Sequence, residues 1–217
     1  MTESSGDWTG VWVAKKMRAH EKVEEIVIIE PQILRVIRKE HGPVVVGTIS
    51  AERVDASVIE PLLSTAGISF IVNVPKESFV TGDALELARR SSVVIGGLGD
   101  LMRALAVPNV QRYVNPEFSF IERGLKQHSQ VESIERVADR RYTISRRKLD
   151  DLDAVFLNEY ELTADHVRTA RERYGACANI VITNPNGRAT SSAQRAAESM
   201  GCEIFMWGEF FGRLNKQ

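Results

Sequence analysis

A stretch in the middle of the chain, FIVNVPKESFVTGDALELARRSSVVIGGLGDLMRAL at residues 70–105, returns near the end as IVITNPNGRATSSAQRAAESMGCEIFMWGEFFGRL at residues 180–214. One offset of 109 residues pairs Ile71 with Ile180, Val72 with Val181, Thr81 with Thr190, Ala84 with Ala193, Ala88 with Ala197, Ile95 with Ile204, Gly99 with Gly208 and Leu105 with Leu214. A period of half the chain is too long for a solenoid and marks a duplicated supersecondary unit. The expected class is therefore α/β, with two tandem repeated halves, each a mixed central sheet flanked by helices.

Each copy reads as a buried strand, a polar turn, an amphipathic helix, a second strand and a Gly-marked closing helix. The helix rests on Ala84, Leu85, Leu87 and Ala88, and on Ala193, Ala196, Ala197 and Met200, at three- and four-residue spacing. Thr81 and Thr190 stand where an N-cap belongs. Asp100 and Glu209 place a carboxylate at the start of each closing helix, where the macrodipole favours it.

Upstream, the pattern predicts a strand at 26–29, a linking segment at 31–40 open to helix, a strand at 44–49 and a helix at 51–65 broken or kinked at Pro61. The second half predicts a charged helix over 117–137 carrying Phe118, Ile121 and Leu125, and a strand at 141–145 as counterpart of 26–29. A strand at 154–157 matching 44–49 follows, then a helix over 163–174 capped by Thr163. The domain reading is a lead-in at 1–20, a first half at 21–107 and a second at 108–217. Trp8 and Trp12, four apart on one helical face, read as a staple onto the body of the fold or as a surface for a protein partner.

Charge is balanced, with 28 Lys and Arg against 29 Asp and Glu, which argues against coating nucleic acid or membrane by overall charge. Only Cys177 and Cys202 occur, neither with a sulfur or imidazole partner close in sequence, and they read as small core residues. No apolar run approaches the roughly 18 residues of a membrane span, and the polar start lacks a signal pattern, so a cytoplasmic location and no membrane contact are expected. His20, His41, His128 and His166 have no zinc-ligand spacing. The turn Gly96-Gly97-Leu98-Gly99-Asp100 lacks the full G-x-G-x-x-G, its Asp100 would oppose an anion, and the repeat puts Trp207-Gly208-Glu209 in its place. It reads as structural, with a Rossmann-like nucleotide or small-molecule sensor as an alternative.

The order within each half, with its Thr turn, Ala-lined helix and Gly-acidic closing helix, resembles the restriction-endonuclease-like fold of the Mrr type, here as two tandem degenerate copies. The resemblance implies a carboxylate at the start of one strand and Glu-x-Lys or Gln-x-Lys on the next, holding Mg²⁺ beside a phosphodiester. The matching places are Asp139, or one of Asp150, Asp151 and Asp153, followed by Asn158-Glu159-Tyr160 or Glu159-Tyr160-Glu161, with no lysine in third position. An active Mg²⁺-dependent nuclease would need Lys148 as a migrated cation, with Asp139, Asp153, Glu159 and Glu161 as its carboxylates and Asp139, Asp153 and Glu159 as metal ligands. In the first half Gly47-Thr48-Ile49 carries neither carboxylate nor lysine. The implied function is a pseudo-nuclease without a cofactor, a nucleic-acid-associated or assembly module in DNA repair or defence.

Arg140, Arg141, Arg146, Arg147 and Lys148 form the densest basic segment and offer a phosphate-contacting surface for DNA or RNA. Strand alternation sets Arg141 and Arg147 on one side and Arg140 and Arg146 on the other, and Asp150, Asp151 and Asp153 could neutralise them internally. Arg146, Arg147 and Lys148 are expected to be replaceable together by Ala with little change in melting temperature.

Overall fold

The computed structural model describes residues 7–65, 67–76 and 78–216, which fall into two compact units, Met1–Asn115 and Pro116–Gln217. The first unit runs α1 (Asp7–Met17), β1 (Val23–Glu30), β2 (Ile33–Arg38), β3 (Val44–Ile49), β4 (Arg53–Val54), α2 (Ala56–Leu63), β5 (Ile68–Asn73), β6 (Phe79–Val80), α3 (Gly82–Arg90), β7 (Val94–Gly96), α4 (Leu98–Ala104) and a 3₁₀ turn, Val110–Arg112. Its main sheet has the order β1-β2-β3-β5-β7. The first three strands form an antiparallel meander, whereas β3, β5 and β7 are parallel. Parallel neighbours need a crossover, and α2 and α3 supply the two crossovers.

Side-chain alternation along β5 sorts the core. Phe70 and Val72 join Val13, Met17, Leu34, Val36, Leu101 and Leu105 under α1 and α4. Ile71 points the other way, to Ile59 and Leu62 of α2 and Ala84 and Ala88 of α3. The alanines keep α3 close to the sheet. On the first face, α1 crosses the β1–β2 turn so tightly that a Cβ on Gly10 would lie 2.1 Å from the Pro31 carbonyl oxygen.

The second unit repeats the plan: α5 (Pro116–Gln127), β8 (Val131–Arg136), β9 (Arg141–Arg146), β10 (Leu149–Leu157), β11 (Glu161–Leu162), α6 (Ala164–Tyr174), β12 (Asn179–Ile182), β13 (Arg188–Ala189), α7 (Ser191–Ser199), β14 (Glu203–Met206) and α8 (Trp207–Arg213). Its sheet order is β14-β12-β10-β9-β8, the same topology. The duplication spans α1 to α4 in the first unit and α5 to α8 in the second. Before the link into β5 and β12 equivalent residues stand 108 apart rather than 109, as with His20 and His128, whose Nδ1 atoms each accept the backbone N–H two residues on at 3.3 Å.

Several expectations are corrected. Residues 31–40 hold strand β2, and the charged run 117–137 is helix only to Gln127 before strand β8 begins. The counterpart of 26–29 is thus β8, and β9 matches β2. Both misreadings concern strands at or next to a sheet edge: β8 is largely exposed and carries Glu132, Glu135 and Arg136, so its composition does not show the alternation of a half-buried strand. The helix expected from residue 51 starts at Ala56, capped by Asp55, and runs through Pro61 to Leu63. Asp150, Asp151 and Asp153 lie on β10, which begins at Leu149. The segment 1–20 contributes α1, whose Val13, Ala14 and Met17 are core residues of the first unit; residues 1–6 lie outside the described residues.

The caps follow the repeat with one difference. Thr163 and Thr190 accept from the N–H groups of His166 and Ala193 at 3.4 and 3.1 Å. Thr81 makes no such bond; its hydroxyl donates to the Val54 carbonyl at 3.1 Å. Asp100 and Glu209 accept from the N–H groups of Gly97 and Met206 at 3.2 and 2.9 Å, as the macrodipole argument expects.

Each sheet is closed by a buried arginine. Arg38 donates through Nε to Gly42 O at 2.7 Å, through Nη1 to Leu105 O and Val107 O at 3.3 and 2.7 Å, and through Nη2 to Pro108 O at 3.1 Å. Arg146 repeats this with Asp150 O at 2.7 Å, Leu214 O at 3.3 Å and Lys216 O at 2.6 Å. The carbonyls left without partners past the closing helices are met by a planar cation with five donors. Arg38→Ala or Arg146→Ala strands these carbonyls and is expected to destabilise its unit by about 2–3 kcal/mol, read as a lower urea midpoint. Lysine at either place should restore little, since a single ammonium cannot span the set. Arg146 is therefore not freely replaceable, contrary to the expectation for the basic segment.

Candidate functional site

Where α5 meets the ends of β9, β10 and β12, the second unit gathers a set of partly buried polar side chains. Glu117, in the first turn of α5, faces Arg140, just ahead of β9, with Nη1–Oε1 2.9 Å and Nη2–Oε2 3.4 Å. Arg140 Nη1 also donates to Phe156 O at 3.3 Å, and Thr183, just past β12, donates to Glu117 Oε1 at 3.1 Å. Burial pulls the Arg140 pKa down, and the Glu117 carboxylate more than offsets this, so the net direction is up. The pair is a bidentate arrangement of the kind that makes charge-assisted bonds.

Asp139 sits beside this pair. Burial pushes its carboxyl above the usual range, opposed by the charge of Arg140, a hydrogen bond from Tyr174 and the charge of Arg136. Its Oδ1 has no hydrogen-bond partner among the described residues. Arg136 lies over the Phe118 ring, 3.6 Å from its centroid, and donates to Asp139 O from Nε and Nη2 at 2.9 and 2.7 Å. Burial also raises the Tyr142 and Tyr174 hydroxyl pKa values well above the ordinary value.

The first unit builds the same place without charge. Thr9, Gln32 and Thr48 are the counterparts of Glu117, Arg140 and Phe156. The fully buried Thr9 and Thr48 hydroxyls lie 3.0 Å apart, and Thr48 donates to Gln32 O at 3.2 Å.

The residues singled out from the sequence are spread over the second unit. Asp153 on β10 is held by Arg141 Nη2 and Thr143 Oγ1, both at 2.8 Å. Glu159 lies past the end of β10, 4.0 Å from His166 Nε2, and Glu161 on β11 pairs with Arg188 at 2.8 Å. The strand end equivalent to Gly47-Thr48-Ile49 is Val155-Phe156-Leu157, not the acidic stretch after it. Lys148 occupies the β9–β10 turn with φ 61°, at the opposite end of β9 from Asp139, roughly 20 Å along a six-residue strand. Among the described residues no group of three or more His, Cys, Asp or Glu side chains is placed to hold a metal ion.

Three of the five basic residues are used internally: Arg140 by Glu117, Arg141 by Asp153 and the Tyr174 carbonyl, and Arg146 by the closing carbonyls. Arg147 and Lys148 are exposed at the turn. Sequence reasoning missed Glu117 and Thr183, and the signal that finds them is the 108-residue register of the upstream elements, which places Glu117 opposite the buried Thr9.

The glycine turn is organised around its own carboxylate. Asp100 Oδ1 accepts from Tyr113 Oη at 2.7 Å, Asn115 Nδ2 at 2.8 Å and Arg103 Nη2 at 2.9 Å. A Cβ on Gly96 would lie 2.8 Å from the Asp100 Cβ, so the small residue serves this approach. Trp8 is 44% exposed while Trp12 packs on the core of the first unit, their rings edge-on at 6.4 Å. Cys177 and Cys202, distant in sequence, are free thiols with sulfurs 3.9 Å apart, ahead of β12 and β14. No described helix is long and apolar enough to cross a membrane. No protein-family model matches the chain, and no curated protein or solved structure matches it significantly.

The Asp139 environment carries a pH signature. Its folded pKa lies above the unfolded value of about 3.9, so the folded state binds the proton more tightly. Its contribution to stability is greatest below the unfolded pKa and is lost as pH rises through the folded one. Asp139→Asn should accordingly raise the melting temperature at neutral pH, by a margin that shrinks as the pH is lowered towards about 4. Scanning calorimetry of both proteins across that range checks it; a variant less stable at neutral pH would show that the carboxylate is favoured as the anion.

Proposed function

We propose that the protein is a catalytically degenerate restriction-endonuclease-like protein of the Mrr type, carrying two tandem copies of the fold and acting as a nucleic-acid-associated or assembly module in DNA repair or defence. The observation that carries the reading is what fills the equivalent place in each half: Arg140 and Glu117 in one, Thr9 and Thr48 in the other. A Mg²⁺ ion wants several hard oxygen ligands in open octahedral positions. In the second unit the Arg140 guanidinium holds both oxygens of the Glu117 carboxylate, and its positive charge, beside Asp139, opposes a divalent cation. In the first unit two hydroxyls satisfy each other.

The sheet order also supports the reading, with a helix, an antiparallel meander and then parallel strands joined by helices in both halves. The family's fold is compatible with that order, but a fold hosts many functions, and the weight rests on the site. With Arg140, Arg141 and Arg146 engaged inside the unit, the phosphate-contacting set reduces to Arg147 and Lys148 at the β9–β10 turn.

Incubation of the pure protein with Mg²⁺ or Mn²⁺ and single- or double-stranded DNA or RNA should give salt-sensitive binding without cleavage. Cleavage abolished by Glu159→Ala would overturn the proposal. On duplex DNA the double variant Arg147→Ala/Lys148→Ala should flatten the log–log salt slope by roughly 0.9 for each phosphate no longer neutralised, with the melting temperature unchanged. An unaltered slope would mark the two charges as a solvated turn.

A further inference from the structure

We infer that the outer edge of β1 is a docking edge for an extended segment of a partner protein, with an apolar centre and Lys or Arg at both ends, which adds to the sheet as a further strand. The inference does not rest on the nuclease-like lineage of the fold. β1 is the terminal strand of its sheet, so one row of its backbone N–H and C=O groups meets no sheet neighbour among the described residues. Three consecutive apolar residues at its centre are exposed: Val27 at 41%, Ile28 at 40% and Ile29 at 46%. Folded proteins ordinarily blunt such an edge, because it is a ready template for pairing with another chain.

The duplication supplies an internal control. β8 is the same edge strand in the second unit, and at the positions of Val27 and Ile28 it carries Glu135 and Arg136. It is also shorter, six residues against eight. The fold thus accommodates charged residues at this place, Glu135 exposed and Arg136 folded back onto Phe118 and the Asp139 carbonyl, and the apolar centre of β1 is not demanded by packing. Ile28 stands opposite the buried Leu34 and Val27 opposite the exposed Arg35, so an added strand would find apolar surface on both faces of the sheet.

Charge selects the occupant. Glu24 and Glu25 at one end and Glu30 at the other are exposed, and among the described residues the ion pairs of this unit are made by others, Lys22–Glu40, Glu86 with Arg89 and Arg90, and Asp100–Arg103. An added strand with basic ends would neutralise these carboxylates across the ladder. A second copy of β1 would instead bring another three glutamates into the same edge. Main-chain bonds then supply affinity and the flanking charges orientation, the mode of strand addition.

The test pans short random peptides displayed on phage against the full chain, counter-selecting on the variant Val27→Glu/Ile28→Arg, which copies the chemistry of β8. Enriched peptides should share an apolar centre with basic ends, and synthesised with a fluorophore they should bind the variant weaker on the order of tenfold, and weaken with added salt. N-methylation of alternate backbone nitrogens in such a peptide should abolish binding, a readout that does not depend on the variant folding. No enrichment, equal binding to both proteins, acidic-ended peptides or indifference to N-methylation would each overturn the inference. Sedimentation velocity closes the remaining route: a dimer of the wild type that the variant loses would assign the edge to a second copy and overturn it equally.

Discussion

A charged group held by carbonyls closes each half of this chain. The last helix of an α/β unit ends with backbone acceptors that cannot continue the helix, and here one side chain from the sheet meets them. Arg38 and Arg146 reach from the second strand of each meander to the residues following α4 and α8, and back to the hairpin that follows their own strand. Desolvation lowers both guanidinium pKa values, from a starting point so high that both remain charged. The sheet, the hairpin and the closing helix of each unit are thereby tied at one point, which explains why the arginine persists in both copies while most surrounding surface residues differ.

Elsewhere the copies keep a position and change its chemistry. The short parallel pair β4–β6 places Arg53 over the Phe79 ring, 5.0 Å from its centroid. The equivalent pair β11–β13 has Glu161 and Arg188 in an ion pair. Threonines 81 and 190 both donate to the strand carbonyl across from them, at Val54 and Leu162, each at 3.1 Å, while only Thr190 also caps its helix. What is retained is satisfaction of the backbone; what drifts is the side-chain partner. The exchange of Thr9 and Thr48 for Glu117 and a facing Arg140 follows the same rule, since a buried polar site tolerates replacement when every group still finds a partner.

The downstream half of each copy was legible in the sequence because strands β5, β7, β12 and β14 are short apolar runs and helices α3 and α7 carry apolar residues at three- and four-residue spacing, bounded by Thr and Gly. The upstream half was obscured for a physical reason. Edge strands bury little, so β1 and β8 show exposure rather than alternation, and the run after Glu117 reads as one helix when it is a helix, a turn and a strand. The site was displaced for a separate reason: with 154–157 rightly matched to 44–49, the carboxylates were sought just past Leu157, whereas the residues equivalent to Gly47-Thr48-Ile49 are Val155-Phe156-Leu157. Glu117 was invisible as a site residue because its meaning lies in a partner, Arg140, 23 residues away, and in a counterpart, Thr9, that carries no charge.

Density of like charge along the chain proved a poor guide to the surface. Along β9 the side chains of Tyr142, Ile144 and Arg146 enter the core while Arg141, Thr143 and Ser145 face the other side, so a basic cluster in one dimension is dispersed in three. Beyond the arginine held by carbonyls that both units share, the second unit pairs Arg140 with Glu117 and Arg141 with Asp153. The first has kept its matching interior neutral at Thr9 and Thr48 and left glutamates and bare aliphatics on β1. Two copies of one fold have thus diverged in opposite directions, one toward an ionic interior with a charged edge and the other toward a neutral interior with an open one. A duplicated domain can diverge in that way without disturbing the backbone that both halves share.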